Sequence, residues 1–141
     1  MIRTARYIYA GLAWLFVAGV LLQVFLAGMV VVARQSSWNA HIGLGHTLSM
    51  PLLFMLVTMY LGRLPRRVKT LTWALFAVYI IQADILIFMR MSVPVLSAFH
   101  PVLALVDFAL GYALARQAVP LAREGKSPAA ATENLEPSSI S

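Results

Sequence analysis

Three histidines and two aspartates stand inside runs that are otherwise almost wholly hydrocarbon: His41, His46, Asp84, His100 and Asp107. In a bilayer an ionisable side chain is costly enough to mark a functional position. At 1.5 Å of rise per helical residue, His46 lies about 12 Å and His100 about 9 Å in from the same ends of their apolar runs. Asp84 falls about 10 Å, and Gln23 and Gln82 about 13 Å, from that same side. Two imidazoles on different helices at one depth are what axial ligation of a haem requires, because the ring nitrogens approach the iron from opposite faces. A copper or zinc ion would suit the same pair.

The surroundings of His46 favour a flat ligand. Gly43 and Gly45 flank it, leaving the backbone open to a macrocycle. Pro51 and Pro101 each remove a helix hydrogen bond, freeing the carbonyls of Thr47 and Ser97, and kinks there would open a pocket between two helices. Asp84 is placed to accept a histidine's second ring N–H and so fix its tautomer. The plainer explanation stands beside this one: glycine and proline are ordinary in membrane helices, and His46 and His100 would be satisfied by interhelical hydrogen bonds to Asp84, Gln82 or Thr47. His41 precedes His46 by five residues, about 140° round a regular helix, so the two cannot face one ion; it reads as an interfacial histidine beside Trp38. Asp107, about 20 Å in, has no basic residue at its level and either donates a hydrogen bond to a neighbouring helix or carries protons.

The elements that must position these groups follow from composition. Of 141 residues, 61% are hydrophobic and 11% charged, against about 25% charged in a soluble domain. With a mean hydropathy of +0.82, an ordinary water-soluble globule is excluded. The absence of cysteine excludes disulfide scaffolds, zinc–thiolate and iron–sulfur sites, and cysteine nucleophiles. No GxSxG, GxGxxG, Walker or HExxH pattern is present, so no catalytic residue is assigned. Four stretches reach the roughly 20 apolar residues that cross a bilayer: about 7–32, 38–61, 70–91 and 94–115. Ser36, Ser37 and Asn39 offer cap oxygens to the second, Gly62 ends it, and Pro94 suits the first turn of the fourth. Short connections make neighbours antiparallel.

The expected architecture is therefore an all-α integral membrane protein, an antiparallel four-helix transmembrane bundle within residues 1–118. A disordered cytoplasmic tail, 119–141, is rich in Pro, Ser, Ala, Glu and Lys. Nine basic residues (Arg3, Arg6, Arg63, Arg66, Arg67, Lys69, Arg116, Arg123, Lys126) flank one side and two, Arg34 and Arg90, the other. The positive-inside rule then puts both termini in the cytoplasm and the histidines toward the outer face of the cell's inner (plasma) membrane. On this reading the net charge of +6 reports topology and contact with lipid, not a nucleic-acid surface. The first apolar run exceeds the 7 to 15 residues of a signal-peptide core and reads as a span. No internal repeat is read, although the second and fourth spans bring histidine in from the same side.

Three segments carry a resemblance: Trp38-Asn39-Ala40-His41-Ile42-Gly43-Leu44-Gly45-His46, Leu61-Gly62-Arg63-Leu64-Pro65-Arg66-Arg67 and Phe99-His100-Pro101-Val102. They resemble a family of small bacterial four-span membrane proteins with no established activity, over about residues 8–117, which implies a four-helix bundle. More distantly, the histidines near the external ends of spans two and four are similar to those of one half of haem A synthase. That resemblance implies haem held between His46 or His41 and His100. No acidic residue stands one turn before the span-two histidine and no cysteine pair is present, so it extends to haem binding and not to haem A synthesis.

The leading expectation is a small b-type haem-binding protein associated with membrane redox chemistry. His46 and His100 are its axial ligands, Gly43 and Gly45 lie beside the ring, and Asp84 gives support. A membrane redox partner or a larger membrane complex would follow. The alternatives are a non-catalytic membrane subunit or assembly factor with a structural polar network, and proton or small-solute movement through Asp107 and Asp84.

Overall fold

A computed structural model describes residues 1–34 and 37–124. The described residues form helices and no strand: α1 (Ile2–Val31), α2 (Asn39–Thr47), α3 (Ser49–Leu61), α4 (Arg66–Ile80), a π-helical turn (Ile81–Ile85), α5 (Leu86–Met89), α6 (Pro94–Ser97) and α7 (His100–Arg123). They combine into four helices long and apolar enough to cross a membrane: Ile2–Val31, Asn39–Leu61, Arg66–Met89 and Pro94–Arg123. The first and third begin four or five residues before the apolar runs do. Hydropathy marks where the apolar run begins, whereas the hydrogen-bond ladder continues through Arg3, Arg66 and Arg67, which are exposed, and Arg6.

The fourth helix also runs further than expected. Residues 119–123 belong to α7 and not to a tail. Ala118 and Ala122 are buried there, so packing overrides the composition of this stretch, Pro120 included. Residues 125–141, the rest of the expected tail, lie outside the described residues.

Around the bundle, α1 packs on α3 and α7, and α4 closes the ring against the same two helices. The first and third spans are thus diagonal to each other, as are the second and fourth. Both histidine-bearing spans are interrupted just before their prolines. The second breaks at Leu48, ahead of Pro51, and the fourth at Ala98 and Phe99, ahead of Pro101.

An internal repeat relates the two halves. Adding 59 to a residue number in the first hairpin gives its mate in the second: Trp14 and Trp73, Ala18 and Ala77, Gln23 and Gln82, His41 and His100. The core obeys the same shift, with Tyr9 and Val68, Ala13 and Thr72, Phe16 and Leu75, Val20 and Tyr79, and Met55 and Leu114 all buried in pairs. None of the five core pairs keeps residue identity, so the repeat is faint in the sequence.

Packing is confined to one end. In α1 the buried residues stop at Val20, in α7 they begin at Asp107, and α2 and the π turn have none. Leu86 is the one buried side chain among the described residues of 21–47 and 80–106. At the packed end Arg6 joins three helices, its Nε donating to the Gly62 carbonyl (2.9 Å) and its Nη1 to that of Leu121 (3.0 Å). Gly62 and Leu121 are themselves repeat mates. Tyr9 donates to Thr72 Oγ1 at 2.6 Å, since the Thr72 hydroxyl is itself committed to the Val68 carbonyl.

Gly62 does not carry the left-handed turn that ends the second span. That conformation falls on Arg63, at φ 49°, with Arg63 N–H donating to the Tyr60 carbonyl and Leu64 N–H to that of Met59, a Schellman closure. Gly62 is needed for space, because a Cβ there would stand 3.0 Å from the Thr58 carbonyl and 3.2 Å from the Arg6 stem. Arg63→Gly is accordingly expected to stabilise the bundle by about 1 kcal/mol, read as a raised thermal midpoint in detergent; an unchanged or lower midpoint contradicts the assignment.

Candidate functional site

The imidazole that meets His100 is that of His41. The ring centres are 6.2 Å apart with planes at 63°. His41 Nδ1 lies 3.1 Å from the backbone oxygen of Gln23, and His100 Nδ1 lies 3.1 Å from that of Gln82, each 18 residues back along the chain. A carbonyl only accepts, so in both rings Nδ1 carries a proton, and in the neutral ring Nε2 is the nitrogen with the lone pair. This is the tautomer metal ligation requires, held by the second-nitrogen hydrogen bond usual for ligating histidines. Trp38 packs edge-on to His41 at 5.4 Å. Both glutamine side chains also have a buried Oε1 without a hydrogen-bond partner.

His46, expected opposite His100, is exposed and lines a lateral groove with Asp84 and Phe88. The depth count that favoured it measured His100 from Pro94 along an unbroken helix. The break at Ala98 and Phe99 makes His100 the first residue of α7, nearer the end of the bundle and level with His41. The angular argument survives, since the two span-two histidines do point to different sides.

The two glycines separate as well. A Cβ on Gly43 would meet nothing within 4 Å, whereas one on Gly45 would stand 2.8 Å from Gln23 Nε2. Gly45 thus makes room for a side chain of the first span, and its carbonyl accepts from the Tyr79 hydroxyl. Asp84 touches the groove and not the histidine pair; the support expected from it is supplied by the backbone carbonyls of Gln23 and Gln82.

Asp107 is 1% exposed and neither carboxyl oxygen has a hydrogen-bond partner. Its repeat mate is Leu48, also buried. A buried polar group left unpaired costs about 1–3 kcal/mol, so Asp107→Leu is expected to gain about 1 kcal/mol after some overpacking. Thermal unfolding in detergent reads this; a loss of stability would mean that the carboxyl has a partner in the membrane.

Fold and site together define an all-α bundle of four helices of membrane-crossing length with an inward-facing histidine pair at its loosely packed end. Residues 23–88 are similar to a protein family described as a family of unknown function (DUF6220). That stretch takes in Gln23, His41 and Gln82 and stops short of His100. No curated protein and no solved structure matches the chain.

Proposed function

We propose that the chain is a small integral membrane protein that holds a b-type haem between His41 and His100, near the external face, with both termini cytoplasmic. One observation carries this reading: two imidazoles on diagonal helices, each oriented through Nδ1 by a backbone carbonyl, with ring centres 6.2 Å apart. A nitrogen-to-metal distance of about 2.0 Å plus about 1.1 Å from nitrogen to ring centre puts two rings sharing one ion about 6 Å apart.

The donor set favours haem over a bare ion. Among the described residues no three His, Cys, Asp or Glu side chains cluster as a metal site. Zinc wants four ligands from such residues, whereas a porphyrin brings four nitrogens and needs only two imidazoles. Buried side chains are sparse at this end of the bundle and most of its side chains are apolar, which supports a bulky apolar ligand there.

When bound, an iron porphyrin supplies one-electron redox chemistry at this depth of the membrane. The chain's own part is to orient both rings through the Gln23 and Gln82 carbonyls. The orientation rests on the nine basic residues flanking the end opposite the histidines. Purified in mild detergent and titrated with hemin, the protein is expected to develop a saturable one-to-one Soret band, with sharp α and β bands on reduction. A preparation that stays colourless while folded overturns the reading and leaves a structural bundle.

A further inference from the structure

A groove with two exposed ionisable side chains opens between the second and third spans, apart from the histidine pair. His46 of the second span and Ala83, Asp84, Ile85, Ile87 and Phe88 of the third line a groove of about 550 Å³. Ala83, Asp84 and Ile85 belong to the π-helical turn Ile81–Ile85, an irregularity found frequently at functional positions. That turn also places Ala83 and Asp84 directly after Gln82, whose carbonyl holds His100.

The chemistry of the groove is unusual for a lateral surface. Both His46 and Asp84 are exposed there, although ionisable side chains in spans ordinarily turn to the bundle interior or pair with each other. A ligand with hydrogen-bonding groups and an apolar body would offset that cost. No lysine or arginine lines the groove, and a carboxylate does, so a phosphate headgroup finds no counter-charge and meets repulsion. Phe88, 87% exposed, offers a flat apolar face.

We propose that this groove binds the head of a lipid-soluble hydroquinone, with Asp84 accepting from one ring hydroxyl and the His46 imidazole pairing with the other. The aromatic ring lies against apolar side chains and the tail runs out into lipid. The choice of a redox-active lipid rests on the haem reading; the hydrogen bonding and the charge argument do not.

The test titrates a decyl-tailed benzohydroquinone, kept reduced under anaerobic conditions, into the haem-free full chain in detergent, followed by calorimetry. Saturable binding is expected, weakened about tenfold in His46→Ala and in Asp84→Asn and changed less than about twofold in His41→Ala, with far-UV circular dichroism unaltered. Because Asp84→Asn preserves volume, loss of binding there is not loss of fold. Unchanged affinity in both groove variants, or equal displacement by oleate or phosphatidylglycerol, overturns the proposal in favour of an unspecific lipid slot. Hydroquinone binding by a protein that takes up no hemin removes the haem reading and leaves the groove; hemin uptake without hydroquinone binding does the reverse.

Discussion

His41→Ala and His100→Ala are each expected to abolish the Soret band of hemin-titrated protein, while His46→Ala leaves it in place. On the haem proposal, losing either imidazole would remove a bond to the iron itself, and groups that only orient ligating histidines are already worth about 10–100-fold in affinity. A drop of at least two orders of magnitude is therefore expected in the first two variants. His46 turns away from the pair into the groove, so its removal should shift hemin affinity by less than about threefold. The opposite pattern, with His46 essential and His41 dispensable, would restore the pairing read from the sequence and discard the geometry described above. Loss of stability in all three variants without any colour in the parent would make these histidines a structural network.

Arg6→Ala is expected to cost about 3 kcal/mol of bundle stability. Its guanidinium makes two charge-assisted bonds, to the Gly62 and Leu121 carbonyls, and such bonds contribute about 1.5–3 kcal/mol each, reduced here by partial exposure. Those carbonyls sit at the C-terminal ends of the second and fourth spans, where a cation also meets the negative end of the helix dipole. Lysine reaches as a single point charge and cannot serve both in the planar fork geometry, so Arg6→Lys should recover no more than half. Unfolding in mixed detergent micelles measures the difference. A loss under about 0.5 kcal/mol would show that water replaces the guanidinium without penalty.

The elements were legible because apolar runs of span length have few other uses, and Pro51 and Pro101 announced the breaks that the helices show. The choice of histidine was not. It depended on counting depth along the fourth span, and a two-residue interruption at Ala98 and Phe99 moved His100 outward by about a turn. A better signal was present in the spacing: glutamine and histidine 18 residues apart occur twice, at Gln23 and His41 and at Gln82 and His100, with Trp14 and Trp73 in register. Their mates in the core exchange tyrosine for valine and phenylalanine for leucine, so the repeat preserves burial more than identity. Nothing in Ile81–Ile85 forecasts a π turn, since its residues suit a regular helix. Arg6 was legible only as a topological charge, because its partners are backbone oxygens far along the chain.

Each hairpin pairs two helices of membrane-crossing length, so the two halves run the same way and a dyad along the bundle axis would relate them. On the haem proposal a single hairpin, with its glutamine and histidine, would supply half of the ligand set, and two half-molecules docked about that dyad would complete it. Tethering them in one polypeptide lets the halves diverge. Asp107 where its mate is Leu48, and Arg6 where its mate is Pro65, are asymmetries that a true homodimer could not carry, and both lie in the packed part of the bundle, where divergence leaves the histidine pair untouched.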